Sequence, residues 1–568
     1  MRKQKTKQTM MGISLLAVMG IALLTPGTEM NKVKATSTPS DAGIDADATS
    51  ISSDMEIVTA PAASPVAIDS TNFPDSIFRE YVKQFDVDTN GSLSVAELEA
   101  VQSIDVSGAQ GISDLGGIEY FSNLRKLKCN ANNLSSLDVN QNTALTELEC
   151  GKNNLSGLDV SQNTALTYLS CANNNLGSLD VSQNTALTEL ACGYNNLSSL
   201  DVSRNTALTR LTCSDNNLDS LDVSQNTALT YLLCNDNNLS SLDVSQNTAL
   251  TELICYGNNL SSLDVSYNTA LTELWCHINN LSSLDVNQNT ALTELYCGHN
   301  NLSSLDVSQN TALTSLECQY NNLNSLDVSQ NTAMTKLWCE YNNLNSLDVS
   351  QNTALTSLDC RNNNLSSLDL SQNTALIELW CHSNNLSSLD LSQNTALIEL
   401  NCSPNYINAP LYKNGNNYYI DLSEFSLDVS RISNPSTGTY DSATGQLVLP
   451  DALEVEDTVE YDYATGYAQE QMNVVVTISE IKEITVPTTE EPTTEEPTTE
   501  EPTTEQPTTE QQTTEQPAVI VPPTTPTDNS KVSTPKTGDT TPLYLVISLF
   551  LVSFAGGVTL YIRRRKKI

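Results

Sequence analysis

The sequence predicts a mainly β solenoid with a small α-helical cap before it and a small β-sandwich after it. All fourteen cysteines, Cys129 to Cys402, are spaced 21 residues apart, and each lies in the frame L-x-x-L-x-C-x-x-N-x-L, with Met334 and Ile407 as the only replacements for Leu. A periodic array also suits a chain of 568 residues, which is too long for one ordinary compact domain. Short β-like runs between Tyr406 and Glu480 follow the last cysteine and predict the β-sandwich, over residues 406–482.

Strand alternation gives each side chain of a repeat a direction. In "ELWCH", Leu274 and Cys276 are expected to point into the core, and Glu273, Trp275 and His277 onto a concave face. Stacked strands lie ~4.8 Å apart, which is longer than the ~3.8 Å Cβ separation of a disulfide. We therefore expect buried free thiols in a row, although an even number of cysteines in a secreted chain is also consistent with disulfides. A row does not provide the tetrahedral geometry that zinc requires.

This repeat frame resembles the leucine-rich repeat, in the short form found in internalin-like surface proteins of Gram-positive bacteria. The resemblance covers residues 103–405 and implies a solenoid with one short parallel strand per repeat on its concave side. Asn153 and its equivalents are expected to bond the turn backbone. A column of Asp residues from Asp138 to Asp390 is expected to bond local backbone rather than calcium.

The outward column that precedes each cysteine holds eleven residue types in fourteen repeats, including all three Trp. All three His lie one or two residues past a cysteine. This variety predicts a binding face, with drift on an exposed surface as the alternative. Four consecutive repeats would form an exposed apolar strip roughly 15 Å long. The candidate ligand-binding residues are Tyr231, Leu233, Ile254, Tyr256, Trp275, His277, Tyr296, His299, Trp338 and Trp380.

The segment "DVDTNGSLSVAE" fits the calcium-loop pattern D-x-[DN]-x-[DN]-G-x5-E and resembles an EF-hand. The expected ligands are the side chains of Asp86, Asp88 and Asn90, the carbonyl of Ser92, a water on Ser94, and both oxygens of Glu97. The alternative is an acidic turn without calcium. A single hand in residues 71–102, with no second copy after it, favours a structural cap over a calcium switch.

The N-terminal end of the chain carries targeting and linker signals. Residues 1–35 have a basic start and a short apolar run, which predict a secretory signal peptide rather than a buried helix. Residues 36–70 are expected to be disordered.

The C-terminal end is expected to hold the protein at the cell surface. Regular Pro, Thr and Glu in residues 483–532 predict an extended stalk. Residues 533–568 combine "STPKTGD", an apolar run at 542–562 and a basic tail, and together they resemble the sorting signal of Gram-positive cell-wall proteins. The resemblance implies that a sortase cuts between Thr537 and Gly538 and joins the chain to peptidoglycan, so that the membrane holds it only before sorting. Thr534 departs from the family's Leu, and a plain membrane anchor is the alternative.

Composition and motifs narrow the function to recognition. A net charge of −41 excludes nucleic acid, whose phosphates require a basic surface. The sequence predicts a wall-anchored adhesion protein that binds a protein or carbohydrate ligand and carries Ca²⁺ in its N-terminal loop. A passive wall spacer and a surface hydrolase are the alternatives. No nucleophile–base arrangement supports the hydrolase.

Overall fold

A computed structural model describes residues 64–484, except residues 109, 110 and 426. Its first elements are β1 (Val66–Ala67), α1 (Ser76–Val82), β2 (Ser92–Leu93), α2 (Val95–Ala100) and β3 (Ser103–Asp105). The repeat strands β4 to β17 follow, three residues each, at Lys126–Lys128, Glu147–Glu149, Tyr168–Ser170, Glu189–Ala191, Arg210–Thr212, Tyr231–Leu233, Glu252–Ile254, Glu273–Trp275, Glu294–Tyr296, Ser315–Glu317, Lys336–Trp338, Ser357–Asp359, Glu378–Trp380 and Glu399–Asn401. Strands β3 to β17 form one parallel sheet in chain order, which confirms the predicted solenoid.

Register in this sheet follows the repeat length. Leu253 lies opposite Leu274, and Leu274 lies opposite Leu295, so equivalent positions of successive repeats form straight columns. The central Leu and the following Cys of the repeat strands are buried from Leu127 to Cys381, as predicted. We call the outward surface of this sheet the strand face; it is the surface that the sequence predicts to be concave.

Two columns of buried asparagines hold successive repeats together. Asn153 Nδ2 donates to the carbonyls of Cys129 and Cys150, while its Oδ1 accepts from Leu134 N–H. On the other side of the repeat, Asn163 Nδ2 donates to the carbonyls of Val139 and Asn142. These bonds satisfy backbone groups that a 21-residue repeat without a helix leaves unpaired. The first column confirms the prediction for Asn153 and its equivalents.

The aspartates of the opposite side bond their own turns, as predicted. Asp159 Oδ1 accepts from Ser161 N–H at 2.9 Å, and this bond recurs in the following repeats. The backbone bond lowers the pKa of Asp159. The repeated Ser-Gln-Asn-Thr sequence therefore has a structural reason to remain fixed.

The N-terminal unit shares a core with the array. Asp75 caps α1 by accepting from the N–H groups of Ile77 and Phe78. Phe73 lies 6.4 Å from Phe121, ring centre to ring centre, and both are buried. The predicted disordered segment, residues 36–70, extends too far, because β1 pairs antiparallel with β2 of the calcium loop.

The C-terminal unit grows directly out of the last repeat. Its strands are β18 (Asn405–Asn414), β19 (Asn417–Asp421), β20 (Ile432–Ser433), β21 (Thr439–Asp441), β22 (Gln446–Leu449), β23 (Thr458–Ala464) and β24 (Gln471–Glu483). They form one sheet in the order β20-β23-β24-β18-β19-β22-β21. β24 is 13 residues long and pairs with β18 on one side and β23 on the other, so the strands of the predicted β-sandwich are linked into one hydrogen-bonded sheet.

Contacts between this unit and the final repeats close the array. Tyr461 Oη donates to the Ser387 carbonyl at 2.9 Å, and Leu391 N–H donates to the Thr465 carbonyl at 2.8 Å. Arg431 pairs with Asp390 at 3.0 Å. The unit thus covers apolar surface that the last repeat would otherwise expose, as the sequence predicts.

The predicted signal peptide, stalk and sorting signal lie outside the described residues. Within residues 64–484 no helix has the length and apolar character needed to cross a membrane. The predicted span at 542–562 is not part of that range.

Candidate functional site

Four columns of side chains make up the strand face. The first column is the third residue before each cysteine. The second column is the residue directly before the cysteine, and the third column is the residue directly after it. The fourth column is the second residue after the cysteine, where the chain turns. Most residues of the first three columns are half-buried. In "ELWCH", Leu274 and Cys276 are buried while Glu273, Trp275 and His277 reach the surface, so the predicted directions are confirmed.

The central strip consists of Leu233, Ile254, Trp275 and Tyr296 in the second column of strands β9 to β12. Adjacent strands place Ile254 opposite Trp275, and Trp275 opposite Tyr296. The rings of Trp275 and Tyr296 stack with centres 5.1 Å apart. Ile254 is only 6% exposed, so the expectation of a fully exposed strip was wrong at this residue. Strands ~4.8 Å apart bring large side chains into contact, and they cover one another.

Three further predicted residues border the central strip. Tyr231 lies beneath the Arg210 guanidinium, which is 3.9 Å from the ring centre. In the third column, Tyr256 and His277 stack with ring centres 4.3 Å apart. Burial lowers the pKa of His277 and raises the pKa of Tyr256 to about 12. His277 is therefore a neutral, mostly apolar contributor to this surface near pH 7.

A second apolar feature, the turn ridge, lies in the fourth column at Ile278, His299, Tyr320 and Tyr341. His299, Tyr320 and Tyr341 stack with successive ring centres 4.2 Å apart. Ile278 is 52% exposed, and each of the two tyrosines is 41% exposed. Of these four residues the sequence argument identified only His299.

The sequence signal for the turn ridge is a run of four bulky residues in successive repeats at a turn position. Its four residues have φ between 53° and 54°, a region that favours Gly, Asn and Asp. Some of the other repeats follow that preference, for example at Asn173, Asp215 and Gly257. Four consecutive bulky residues at such positions carry conformational strain, and strained positions concentrate at functional sites.

An acidic row runs beside the central strip in the first column: Glu252, Glu273 and Glu294 in strands β10 to β12. Adjacent strands place these carboxylates next to one another. Within residues 64–484, no Lys or Arg forms a salt bridge with any of the three. Burial and the charges of Glu294 and Glu252 raise the pKa of Glu273.

Trp338 and Trp380 lie in the second column but apart from the central strip. Glu317 stands between Tyr296 and Trp338, and Asp359 stands between the two Trp residues. The Lys336 ammonium is 3.5 Å from the Trp338 ring centre. Trp338 Nε1 donates to Ser357 Oγ at 3.2 Å. Trp338 is therefore engaged within the protein itself.

Two buried carboxylates share one guanidinium near these residues. Arg361 Nη2 lies 3.3 Å from Asp359 and 3.8 Å from Glu340, and both acids are 5% exposed. Burial raises the pKa of Glu340 to about 7, with the Asp359 charge adding to the effect. Burial also raises the pKa of Asp359 to about 6. Sequence reasoning missed this pair because neither residue belongs to a recognisable pattern.

The cysteines form a column of buried free thiols, as predicted. Burial raises the pKa of the Cys129 thiol to about 12 and that of Cys276 likewise. A thiol must lose its proton to act as a nucleophile or as a metal ligand. The column is therefore chemically inert packing.

The calcium loop brings its acidic ligands together. Carboxylate oxygens of Asp86, Asp88 and Glu97 lie within 4.8 Å of one another. Asp86 accepts from the N–H groups of Asn90 and Gly91, and Gly91 has φ +83°, as the sharp turn requires. The two oxygens of Glu97 accept from Val87 N–H and Ser94 N–H, and these bonds lower its pKa.

The remaining predicted ligands serve the loop itself. Asn90 Oδ1 accepts from Ser92 N–H, and Ser94 forms a capping box with Glu97 at the start of α2. Several hard oxygens converge on one turn, which is the donor chemistry that calcium prefers. In a pair of EF-hands, the loop of the second hand provides a strand partner for the loop of the first. Here β1 takes that place, because its Val66 pairs with Leu93 of the loop. The predicted sortase residues, Thr537 and Gly538, lie outside the described part of the chain.

Comparison with known proteins gives matches among solved structures. No family model and no curated protein matches the chain. It is similar to the functional domain of InlJ from Listeria monocytogenes, which includes a cysteine ladder: 35% identity over 74% of this chain and 100% of that chain, with a TM-score of 0.64. A leucine-rich repeat protein of Leptospira interrogans shares the fold, at 24% identity over 55% and 86% of the two chains and a TM-score of 0.51. The internalin InlF of Listeria monocytogenes matches at 22% identity over 60% and 98%, with a TM-score of 0.49.

Proposed function

This chain belongs to the internalin-type leucine-rich repeat proteins, and from that premise we propose that its strand face recognises an extracellular protein partner. The observation that carries the proposal is the contact surface at the central strip. Leu233, Trp275 and Tyr296 are half-buried rather than covered, in strands β9, β11 and β12 of one continuous sheet. Rigid aromatic side chains on a preformed surface are favoured anchors in protein interfaces.

The arrangement of the rings favours a protein over a carbohydrate. Sugars bind aromatic side chains by stacking on an open ring face. Here Trp275 stacks on Tyr296, Tyr256 stacks on His277, and Lys336 covers Trp338. Each of these contacts occupies one ring face on which a sugar would otherwise stack, while ring edges and the aliphatic Leu233 suit the side chains of a protein partner.

The test compares aromatic residues of the strand face with an exposed tyrosine on the opposite side of the array. The region 64–484 is screened against a panel of extracellular proteins and a glycan array, and Trp275→Ala and Tyr296→Ala are then measured against each hit. Each substitution should weaken binding by about 2 kcal/mol, roughly thirtyfold, if the residue is an anchor. Tyr267→Ala is the control, because Tyr267 is 59% exposed on the opposite side of its repeat.

Different outcomes separate the alternatives. Loss of binding in Tyr267→Ala but not in Tyr296→Ala would move the site to the other side of the array. Binding of the glycan array alone would favour a carbohydrate ligand. No hit in either screen would favour a passive wall spacer.

We further propose that the N-terminal loop binds calcium and that the mature protein is attached to the cell wall. The convergence of Asp86, Asp88 and Glu97 supports the calcium site. The order of "STPKTGD", apolar run and basic tail supports sortase attachment at Thr537. We assign calcium at this position a structural role, because β2 of the loop pairs with β1.

A further inference from the structure

The acidic row and the central strip occupy the same three strands. In β10, β11 and β12 the outward residues read Glu252 and Ile254, Glu273 and Trp275, and Glu294 and Tyr296. Each strand thus presents one carboxylate and one apolar group two residues apart, a distance of ~6.8 Å along an extended chain. The result is two parallel lines, one acidic and one apolar, that cross the strands.

Some carboxylates elsewhere on the strand face have cations of their own. Lys128 lies 2.9 Å from Glu147 and 2.7 Å from Glu149. Lys336 pairs with Glu317, and Arg361 lies 3.3 Å from Asp359. In the described part of the chain, the acidic row has no such partner, and burial together with the charges of Glu294 and Glu252 raises the pKa of Glu273.

We propose that the partner's contact segment is a basic amphipathic helix. Its Lys or Arg side chains meet the acidic row, and its apolar side chains meet the central strip. This inference rests on the proposed function and specifies the chemistry of the partner. Complementary charge beside an apolar strip is how interfaces fix orientation and exclude wrong partners.

Spacing selects a helix over an extended segment. A helix lying across the strands presents one basic and one apolar residue per turn. Turns are about 5.4 Å apart, which is close to the ~4.8 Å between strands. An extended segment repeats every ~6.8 Å and loses register over three strands. The helix therefore matches all three carboxylates at once.

The experiment measures fluorescence anisotropy of a labelled helical peptide with lysines along one side and leucines along the other. The same peptide with every lysine acetylated is the control for charge. The test protein is the region 64–484 and its variant Glu252→Gln, Glu273→Gln, Glu294→Gln. A matched variant, Glu189→Gln, Glu378→Gln, Glu399→Gln, removes three carboxylates from the same column away from the strip.

We expect the lysine peptide to bind the native protein and the acetylated peptide to bind at least tenfold more weakly. Neutralising the acidic row should weaken binding about tenfold, because each solvent-facing ion pair contributes modestly and three act together. The matched variant should change affinity less than about threefold. The binding to the native protein should weaken as salt rises.

Three results would overturn the inference. Equal losses in the two triple variants would show general attraction to an acidic protein. Equal binding of the acetylated peptide would remove the role of charge. A panel partner that needs Tyr296 but not the acidic row would overturn this inference while leaving the proposed function intact.

Discussion

Single polar residues decide how these repeats stack. Asn153 and its equivalents use one amide to bond two carbonyls and one N–H from adjoining turns. Among short uncharged side chains, only Asn has two N–H donors together with a carbonyl acceptor. The alternation of buried Leu and Cys with outward residues completes the repeat, so its structure depends on few positions.

At the calcium loop, Glu97→Gln should weaken calcium binding strongly. The substitution removes the charge of the residue that offers two oxygens to the site. Calorimetric titration of the region 64–484 measures the effect, and that region must include β1. Glu99→Gln, on the same helix and exposed, is the control. Equal heats of calcium binding for native protein and Glu97→Gln would refute the site.

In the cysteine column, Cys276→Ser should lower the free energy of unfolding by about 1–3 kcal/mol. The thiol is fully buried, and the change places a hydroxyl in an apolar stack. Cys276→Ala, which introduces no polar group, should lose less. Chemical denaturation with both variants measures the difference. An unchanged midpoint for Cys276→Ser would contradict the burial argument.

At the scale of elements, neighbouring repeats interact through side chains 21 residues apart. The turn ridge stacks in this way, and so do Tyr256 with His277 and Trp275 with Tyr296. Similarly, Glu340 of one repeat shares Arg361 with Asp359 of the next repeat strand. Each such contact depends on what two adjacent strands present together.

Burial of the Glu340 carboxyl group makes the free energy of unfolding depend on pH. Its folded-state pKa of about 7 is above the usual 4.5, so the folded state holds this proton more tightly than the unfolded state. The stability contributed by protonated Glu340 is complete below about pH 4.5 and is lost as the pH rises through 7. Glu340→Gln should therefore be more stable than the native protein at pH 8, by on the order of 2 kcal/mol, and similar to it near pH 4.

The measurement is denaturant unfolding of both proteins at pH 4 and pH 8. Glu189→Gln is the control, because Glu189 lies opposite Arg210 and its loss should give no gain at pH 8. If Glu340→Gln is less stable than the native protein at pH 8, its ion pair with Arg361 outweighs the burial of its charge.

At the scale of the whole molecule, a linear array needs closure at both ends. The N-terminal unit adds its apolar core to the first repeats, and the C-terminal sheet bonds the last repeats through Tyr461 and Thr465. Stacked repeats contact only their neighbours, so uncovered ends would expose core. Both units therefore close the array without contributing to the central strip.

Attachment to the wall gives the last prediction. Thr537→Ala should leave the protein in the membrane fraction or the medium, because the predicted acyl-donating residue of the sorting signal is gone. Muramidase digestion followed by immunoblotting of wall fragments measures covalent linkage. Thr540→Ala, three residues further on, should remain linked. Covalent linkage of Thr537→Ala equal to that of the native protein would refute sortase attachment through Thr537.

The sequence by itself determined the features that depend on spacing within one repeat or one loop. The 21-residue period predicted the parallel sheet, the buried Leu and Cys, and the outward direction of Trp275 and His277. The calcium-loop spacing predicted the approach of Asp86, Asp88 and Glu97. Such features follow from backbone geometry over a few residues.

Only the tertiary structure decided which side chains share an environment. It buried Ile254, assembled the turn ridge and paired β1 with β2. It also joined the C-terminal strands into one sheet. Each of these results depends on contacts between different repeats or between distant strands. Register and the volume of neighbouring side chains set those contacts, and neither can be read from one stretch of sequence.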